Sequence, residues 1–327
     1  MDYRDKVYGE TEIDEPIILD LINSKEIQRL KGIDQAGYYE PYFPGSKSSR
    51  FEHSLGVYLL LGRFGASIEE QIAGLIHDVS HSAFSHAIDY ALSEGSEKKQ
   101  NHQDNYFKKY VLGSAIPEIL KKHNLDVDYI LNENNFPLLE TKLPDLCADR
   151  IDYSLRDATS YRAIGAEKIK EILENLIVRG GRWMFKDFSS ARIYAQLFKK
   201  LNEKYYADLA TAVMFRRVGD YLKHALKQQY IEKDDLYTTD DEVMLKINKN
   251  LENDEGLDSL WKNMNNGKGY KNNPDEYDAE VYCKSRVVDP LCQHNGKIMR
   301  ISEIDPEWKD VLKKELEPKR YFIKFSD

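Results

Sequence analysis

Cysteine is scarce. Only Cys147, Cys283 and Cys292 occur in 327 residues, and none belongs to a CxxC pair. That spacing builds neither a disulfide framework nor a thiolate zinc site, and it predicts a reducing, cytoplasmic setting. Long apolar runs are missing too. No stretch approaches ~18 consecutive apolar residues, so no membrane span is expected. The opening Met1-Asp2-Tyr3-Arg4-Asp5-Lys6 is charged and carries no signal-peptide core. Positive charge is in deficit, with a formal net charge of -9. An extended duplex-binding surface needs a basic face, so nucleic acid is a weak candidate partner, whereas a small polyanion needs only a few local cations. There is no internal repeat. What is present is a 41% apolar fraction, enough for a real core, and length for one large domain or a main domain with a smaller lobe.

Helical signals dominate the first half. Asn23-Ser24-Lys25-Glu26 offers polar starters for a helix, and the stretch from Tyr38 to Ser49 reads as a loop. Ser49-Arg50-Phe51-Glu52 has the form of a capping box, and Ser67-Ile68-Glu69-Glu70 repeats it. Ile68, Ile72, Leu75 and Ile76 follow helical spacing. Residues 93–100 read as an exposed loop, 105–122 and 143–160 as helical, and 189–230 as one or two long helices. Arg179-Gly180-Gly181-Arg182 predicts a small hairpin. A catalytic core over 1–230 and a C-terminal lobe over 231–327 are expected. Within that lobe, 250–278 is polar and predicts a surface excursion or mobile segment. Short strands are expected at Lys297–Ile301 and Arg320–Phe325.

Five of the eight histidines, His53, His77, His81, His86 and His102, fall within fifty residues. His77 and Asp78 stand side by side at the end of an apolar helical run. Burying imidazole and carboxylate together is costly unless something binds them, and a divalent cation is the simplest answer. His77 and His81 share a face if the helix continues, and His53 meets them if two helices pack antiparallel across the short Gly62–Ser67 link. Asp149 is the expected fourth ligand, on a polar face formed by positions 149, 153 and 157. Two imidazoles and two carboxylates suit one divalent transition metal per subunit, Mn, Fe, Zn, Co or Ni, better than Ca.

The order His53, His77-Asp78, Asp149 resembles the HD-domain phosphohydrolase superfamily. The flanking Gln28-Arg29-Leu30, Phe43-Pro44-Gly45, Arg50-Phe51-Glu52-His53, His77-Asp78-Val79-Ser80-His81 and Asp149-Arg150-Ile151-Asp152-Tyr153 are similar to its deoxynucleoside triphosphate triphosphohydrolase branch. Lys284-Ser285-Arg286-Val287-Val288-Asp289-Pro290 is similar to C-terminal regions of that branch. The resemblance implies a mainly α HD-domain helical fold with small β-hairpins and a minor C-terminal α/β lobe. It implies His53, His77, Asp78 and Asp149 as metal ligands, and His81, His86, Asp89 and His102 as the groups that act on phosphate. Within that set His102 is expected to couple with Asp89, and His86 or His102 to serve as the acid. Gln35, Arg50, Arg150, Tyr153 and Asp157 match substrate contacts, with Gln35, Tyr153 and Asp157 on the sugar side and the two arginines on the phosphates. Lys199, Lys200, Tyr205 and Tyr206 are further candidates.

There are departures from the family pattern. Gln103 stands where a Glu is common, and Arg150 replaces a lysine. Asn23 and Lys31 replace an acid and an arginine that read an activator base, which argues against guanine-dependent activation in that form. The implied activity is hydrolysis of a dNTP to deoxynucleoside and triphosphate, with Mg a candidate companion of the substrate. Other expectations are a homo-oligomer (dimer, tetramer or hexamer) and, in some members, an activator nucleotide between subunits. Rival readings are another HD-type nucleotide phosphatase or phosphodiesterase, or an inactive nucleotide-sensing module.

Overall fold

The computed structural model describes residues 1–92 and 96–326 and is mainly helical, with small sheets. A hairpin of β1 (Asp2–Asp5) and β2 (Gly9–Glu12) opens the chain. Pro16 starts α1 (Pro16–Ile22), where its missing N–H costs nothing, and the Ser24 hydroxyl caps α2 (Lys25–Arg29). The capping box at Ser49 is complete. Ser49 Oγ accepts from the Glu52 N–H at 3.2 Å, and Glu52 Oε2 accepts from the Ser49 N–H at 2.9 Å. That fixes the start of α3 (Arg50–Arg63).

At α4 (Ile68–Ile76) only half of the expected box forms. Ser67 caps the Glu70 N–H, but the Glu70 carboxylate turns to the Leu138 and Leu139 N–H groups, at 2.6 and 3.1 Å. Those donors lie in a partly buried loop and need an acceptor more than the helix end does. The helix stops at Ile76, so His77 and His81 do not share a continued helix face. The chain leaves through a turn in which the His81 N–H meets the Asp78 carbonyl. Phe84 and Ser85 then adopt left-handed backbone, at φ 60° and 44°. A buried carboxylate, Asp240, supports this by accepting from the Phe84 N–H at 2.7 Å and the Asp34 N–H at 2.8 Å.

Of the expected loop at 93–100, residues 93–95 lie outside the described ones, and Gln100 is buried. The chain continues through α5 (His102–Leu112), α6 (Ile116–Lys122), α7 (Val127–Ile130) and α8 (Ala148–Ser160). The last begins later than its periodicity predicts, because Leu143–Asp145 make a turn closed by the Asp145 N–H on the Lys142 carbonyl and Cys147 enters the helix from extended backbone. After α9 (Ala166–Asn175), the hairpin of β3 (Leu176–Arg179) and β4 (Arg182–Phe185) turns on Gly180 and Gly181. Their φ values of 59° and 68° suit the first-choice two-residue hairpin turn. Two helices follow, α10 (Phe188–Leu201) and α11 (Leu209–Lys227), joined by one wide turn over Asn202–Tyr206.

The polar stretch 250–278 is built into the fold. Within it, after α12 (Asp240–Asn248), α13 (Glu255–Met264) buries Leu257 and Met264, and β5 (Tyr270–Asn272) pairs with a strand further on. Leu260 and Trp261 pack beside Leu257 and Met264, so four apolar residues at helical spacing dock one face of an otherwise polar helix. The tail adds β6 (Ala279–Cys283), β7 (Leu291–His294), β8 (Lys297–Arg300), α14 (Ile301–Ile304), α15 (Pro306–Glu315) and β9 (Lys319–Phe325). One sheet runs β3-β4-β7-β8, with β4 and β7 parallel, and another runs β5-β9-β6. Residues 231–327 contribute to both apolar cores. Val287, Val288 and Trp308 join the core around α3, α4 and α8, while Val281 and Ile323 join the one around α11. No described helix is long and apolar enough to cross a membrane.

Gly56 allows α3 and α8 to approach. A Cβ there would overlap the Arg156 guanidinium and the Asp152 carboxylate. Gly56→Ala is expected to destabilise the protein by about 3–5 kcal/mol, the cost of disrupting a buried ion pair. A thermal melt checks this: the midpoint should fall by several degrees, and an unchanged midpoint contradicts the packing described.

Candidate metal and phosphate site

His53 lies one turn into α3 and is wholly buried. Its Nδ1 faces Asp152 Oδ2 at 2.7 Å. Asp152 is held in turn by Arg156, whose Nε and Nη2 donate at 3.0 and 2.9 Å, and Arg156 Nη1 reaches Asp5 Oδ2 at 3.0 Å. His77 caps the end of α4, and its Nδ1 donates to the Gly74 carbonyl at 2.7 Å. Both rings are therefore locked through Nδ1 with Nε2 turned inward. The two Nε2 atoms stand 3.2 Å apart. Asp149 Oδ1, from the first turn of α8, lies 2.9 Å from His53 Nε2 and 3.5 Å from His77 Nε2.

These three donors converge as a metal-holding group. Asp78 stands at its rim. Its Oδ1 is 3.4 Å from His77 Nε2, its Oδ2 is 3.7 Å from His53 Nε2, and Arg50 Nη1 grips the same Oδ2 at 2.6 Å. Burial opposes charge on His53, but the Asp149 and Asp152 carboxylates outweigh it and lift the imidazole to about 10. Burial likewise works to raise Asp149, and the two adjacent imidazoles reverse it, holding the carboxyl well below the usual range. The group demands positive charge at its centre. Two imidazole Nε2 atoms and a carboxylate oxygen, each ring backed by an acceptor, fit a divalent transition metal.

The structure gathers most of the other expected residues around this centre. Arg50 donates from Nε to Ser85 Oγ at 3.0 Å and from Nη2 to the Gln35 carbonyl at 2.8 Å, as well as to Asp78. Gln35 Oε1 and the Tyr153 hydroxyl are buried without a hydrogen-bond partner among the described residues. The Tyr153 ring meets the His53 ring edge-on at 6.4 Å. Asp157, one turn beyond Tyr153, accepts from the Tyr206 hydroxyl at 2.9 Å, and burial pushes its carboxyl up to about 7.

His81 Nε2 lies 3.3 Å from Asp78 Oδ1 and its ring packs edge-on against His86 at 5.2 Å. Burial, with the Arg50 charge adding, pulls His81 down to about 3; burial pulls His86 down to about 4. Both rings are neutral at pH 7.

Two expectations are modified. The Asp89 carboxylate couples to His102 through its backbone, accepting that N–H at 3.1 Å. The imidazole beside Asp89 is His86, with Nδ1 3.8 Å from Oδ2. The His102 ring pairs instead with the Tyr237 hydroxyl at 3.1 Å. Arg150 is not brought into the group. Its guanidinium donates to the Asp145 and Thr141 carbonyls, to Glu140 Oε1 and to Cys147 Sγ, all in the loop before α8. Lys199 pairs with Glu203, Lys200 is exposed, and the Tyr205 carbonyl accepts from Tyr39 and Thr211. Gln103 Nε2 donates to the His77 carbonyl at 2.7 Å, a bond that a Glu at this position could not make.

Sequence reasoning did not assign Asp152, Arg156, Ser85 or Tyr237. An Asp and Arg four apart on a helix read as a surface ion pair, and only the burial of α8 shows that they back a ligand.

The HD domain family pattern matches residues 50–157, the span that holds every one of these ligands. An uncharacterised Bacillus subtilis protein, YdhJ, is 36% identical over 93% of this chain and 92% of its own. The metal-dependent phosphohydrolase cns2 of Cordyceps militaris is 39% identical over 53% of this chain and 49% of its own. The deoxynucleoside triphosphate triphosphohydrolase SAMHD1 of Gallus gallus is 30% identical over 42% of this chain and 26% of its own. A solved phosphohydrolase from Bacteroides thetaiotaomicron superposes over the whole of both chains with a TM-score of 0.76 at 18% identity, a likeness of fold.

Fold and site together define a metal-dependent phosphohydrolase. The chain belongs to the HD-domain phosphohydrolase superfamily.

Asp152→Asn keeps shape but weakens the acceptor behind His53. Metal affinity is expected to fall about 10–100-fold, and Asp149→Ala is expected to fall further still. Metal content after dialysis, read by elemental analysis, checks both; full retention by Asp149→Ala would remove it from the ligand set.

Proposed function

We propose that this protein hydrolyses deoxynucleoside triphosphates to the deoxynucleoside and triphosphate. The observation that carries the reading is the pair of buried, unpartnered polar atoms, Gln35 Oε1 and the Tyr153 hydroxyl, tied by contacts to the two sides of the metal group. Unsatisfied buried polar groups are rare in folded proteins, and a hydroxyl-bearing ligand would satisfy both. A sugar 3′-hydroxyl donating to Gln35 Oε1, with the sugar against Tyr153 and a ligand oxygen accepting from its hydroxyl, would meet that demand. With the sugar packed on the phenol face, a 2′-hydroxyl would meet the ring, which favours deoxyribose. The similarity to chicken SAMHD1 supports the same substrate class.

When bound, the divalent metal (Mn, Fe, Zn, Co or Ni) supplies Lewis acidity at the α-phosphate and lowers the pKa of water. This chain's residues do the rest. Arg50, positioned by Ser85, Gln35 and Asp78, offers fixed positive charge where negative charge builds up on the α-phosphate oxygens. Water oxygen bonds to the α-phosphorus, and the bond to the sugar 5′-oxygen breaks. That oxygen is a poor leaving group and needs a proton. His86 is the acid in this reading: the triphosphate charge would lift its depressed pKa, and Asp89 stands beside its Nδ1 to support the imidazolium. His102 and His81 line the same region. Self-association as a dimer, tetramer or hexamer, with or without an activator nucleotide, belongs to the proposal.

The test is product analysis. Purified protein is incubated with each dNTP and NTP, singly and mixed, with Mn or Mg. Tripolyphosphate and deoxynucleoside are the expected products, with ribonucleotides cleaved more slowly. Release of inorganic phosphate alone would instead support a nucleotide phosphatase. His86→Ala should lower kcat by about 10²–10⁴ with metal content unchanged, and turnover equal to the wild type would remove His86 from the acid role.

A further inference from the structure

Two cations on the tail stand beside the centre, and the chemistry above does not use them. The segment between β6 and β7 passes the start of α5 and is pinned there. Buried Asn202 grips it twice: Oδ1 accepts from the Arg286 N–H at 2.8 Å, and Nδ2 donates to Ser285 Oγ at 3.0 Å. The Arg286 guanidinium donates to buried Gln100 Oε1 at 2.9 Å and to the Lys284 carbonyl at 3.2 Å. Gln100 lies two residues before His102, and Gln103 bonds the His77 carbonyl, so the segment abuts the metal group's own support. Its charges are felt on both sides of the site. Arg286 acts on His86 and Tyr153, and Lys284 acts on Asp104 at the start of α5, which also senses Asp78 and Asp149.

Neither cation has a carboxylate within ion-pair distance among the described residues, and the Lys284 ammonium has no hydrogen-bond acceptor there. This is unusual in a chain whose formal net charge is -9. Most other partly buried cations near the centre are paired: Arg50 with Asp78, Arg150 with Glu140, Arg156 with Asp5 and Asp152. Burial and the charge of Arg286 pull the Lys284 ammonium down to about 8, a penalty that an anion between the two would relieve.

We propose that Lys284 and Arg286 form an anion subsite that holds the β- and γ-phosphates of the substrate. The proposal rests on the triphosphohydrolase reading and deepens it. The rigid guanidinium, already fixed through Gln100, offers its remaining N–H groups in one plane, while the ammonium supplies a mobile point charge. A subsite that holds the outer phosphates selects for chain length over a monophosphate. It also fills the place that Arg150, committed to the loop before α8, does not.

The probe is inorganic tripolyphosphate, titrated by calorimetry at pH 7 against protein as purified and again after chelator dialysis, with orthophosphate in parallel. Lys284→Gln and Arg286→Gln are each expected to weaken tripolyphosphate by tenfold or more and to leave orthophosphate unchanged, with Lys284→Arg close to wild type. For a dNTP, KM should rise more than kcat falls. Thermal melts confirm that the variants fold, and Lys284→Gln, which breaks no hydrogen bond, keeps the test alive if Arg286→Gln does not. Unchanged tripolyphosphate binding in Lys284→Gln overturns the proposal, as does an equal loss for both anions or no binding by the wild type. If tripolyphosphate binding depends on the two cations but no dNTP is cleaved, the subsite stands and the substrate reading fails. If dNTPs are cleaved and the cations do not matter, the reverse holds.

Discussion

The orientation of two imidazole rings is the constraint on which the rest depends. His53 and His77 each have Nδ1 bound, one to the Asp152 carboxylate and one to the Gly74 carbonyl, and so must present Nε2 to one another. Nitrogens held face to face with little access to water need positive charge on or between them. Asp149 supplies the third donor, and the hydrolase chemistry follows from that meeting point. The backing is deep. A line of alternating charge runs from Asp5 in the first strand through Arg156 and Asp152 to His53. Such buried pairs add little net stability over apolar packing, but removing one member leaves the others uncompensated. The N-terminal hairpin is therefore tied into the metal centre, although it touches no ligand directly.

Around this centre, charge is apportioned with care. Asp78 is anionic because Arg50 and neighbouring imidazoles overcome its burial. His81 and His86 are kept neutral, and Asp89 is divided between the α5 terminus and the His86 ring. The result is a pocket region with one committed arginine and two uncharged imidazoles able to respond to an arriving polyanion. In the proposed reaction, a pair of imidazoles that is neutral before substrate and gains charge with it supplies an acid only when there is something to protonate.

Much of this was legible in the sequence, for identifiable reasons. The clustering of five histidines and the adjacent His77-Asp78 pair locate the centre, and the Ser49 capping box fixes the helix that delivers His53. The paired glycines at 180–181 mark a hairpin through backbone freedom alone. What was not legible depended on tertiary partners. Glu70 leaves its own helix terminus because two distant loop amides need it more. Asp152 and Arg156 look like a surface pair until burial is known. Arg150 carries the expected charge, yet the loop before α8 engages both of its terminal nitrogens. The low apolar fraction of 250–278 as a whole masks α13, although Leu257, Leu260, Trp261 and Met264 stand at i, i+3, i+4 and i+7 and carry the signal of an amphipathic helix.

Asp240 carries a mechanical consequence. Its single carboxylate takes the amide of Asp34, next to Gln35, with one oxygen and the amide of Phe84, next to Ser85 and His86, with the other. It is also the first residue of a helix whose Leu245 lies open to solvent. The wall that would face the sugar and the wall that would face the departing oxygen thus hang from one pivot, far along the chain from both. Through these two bonds, the position of that helix sets the position of both walls at once.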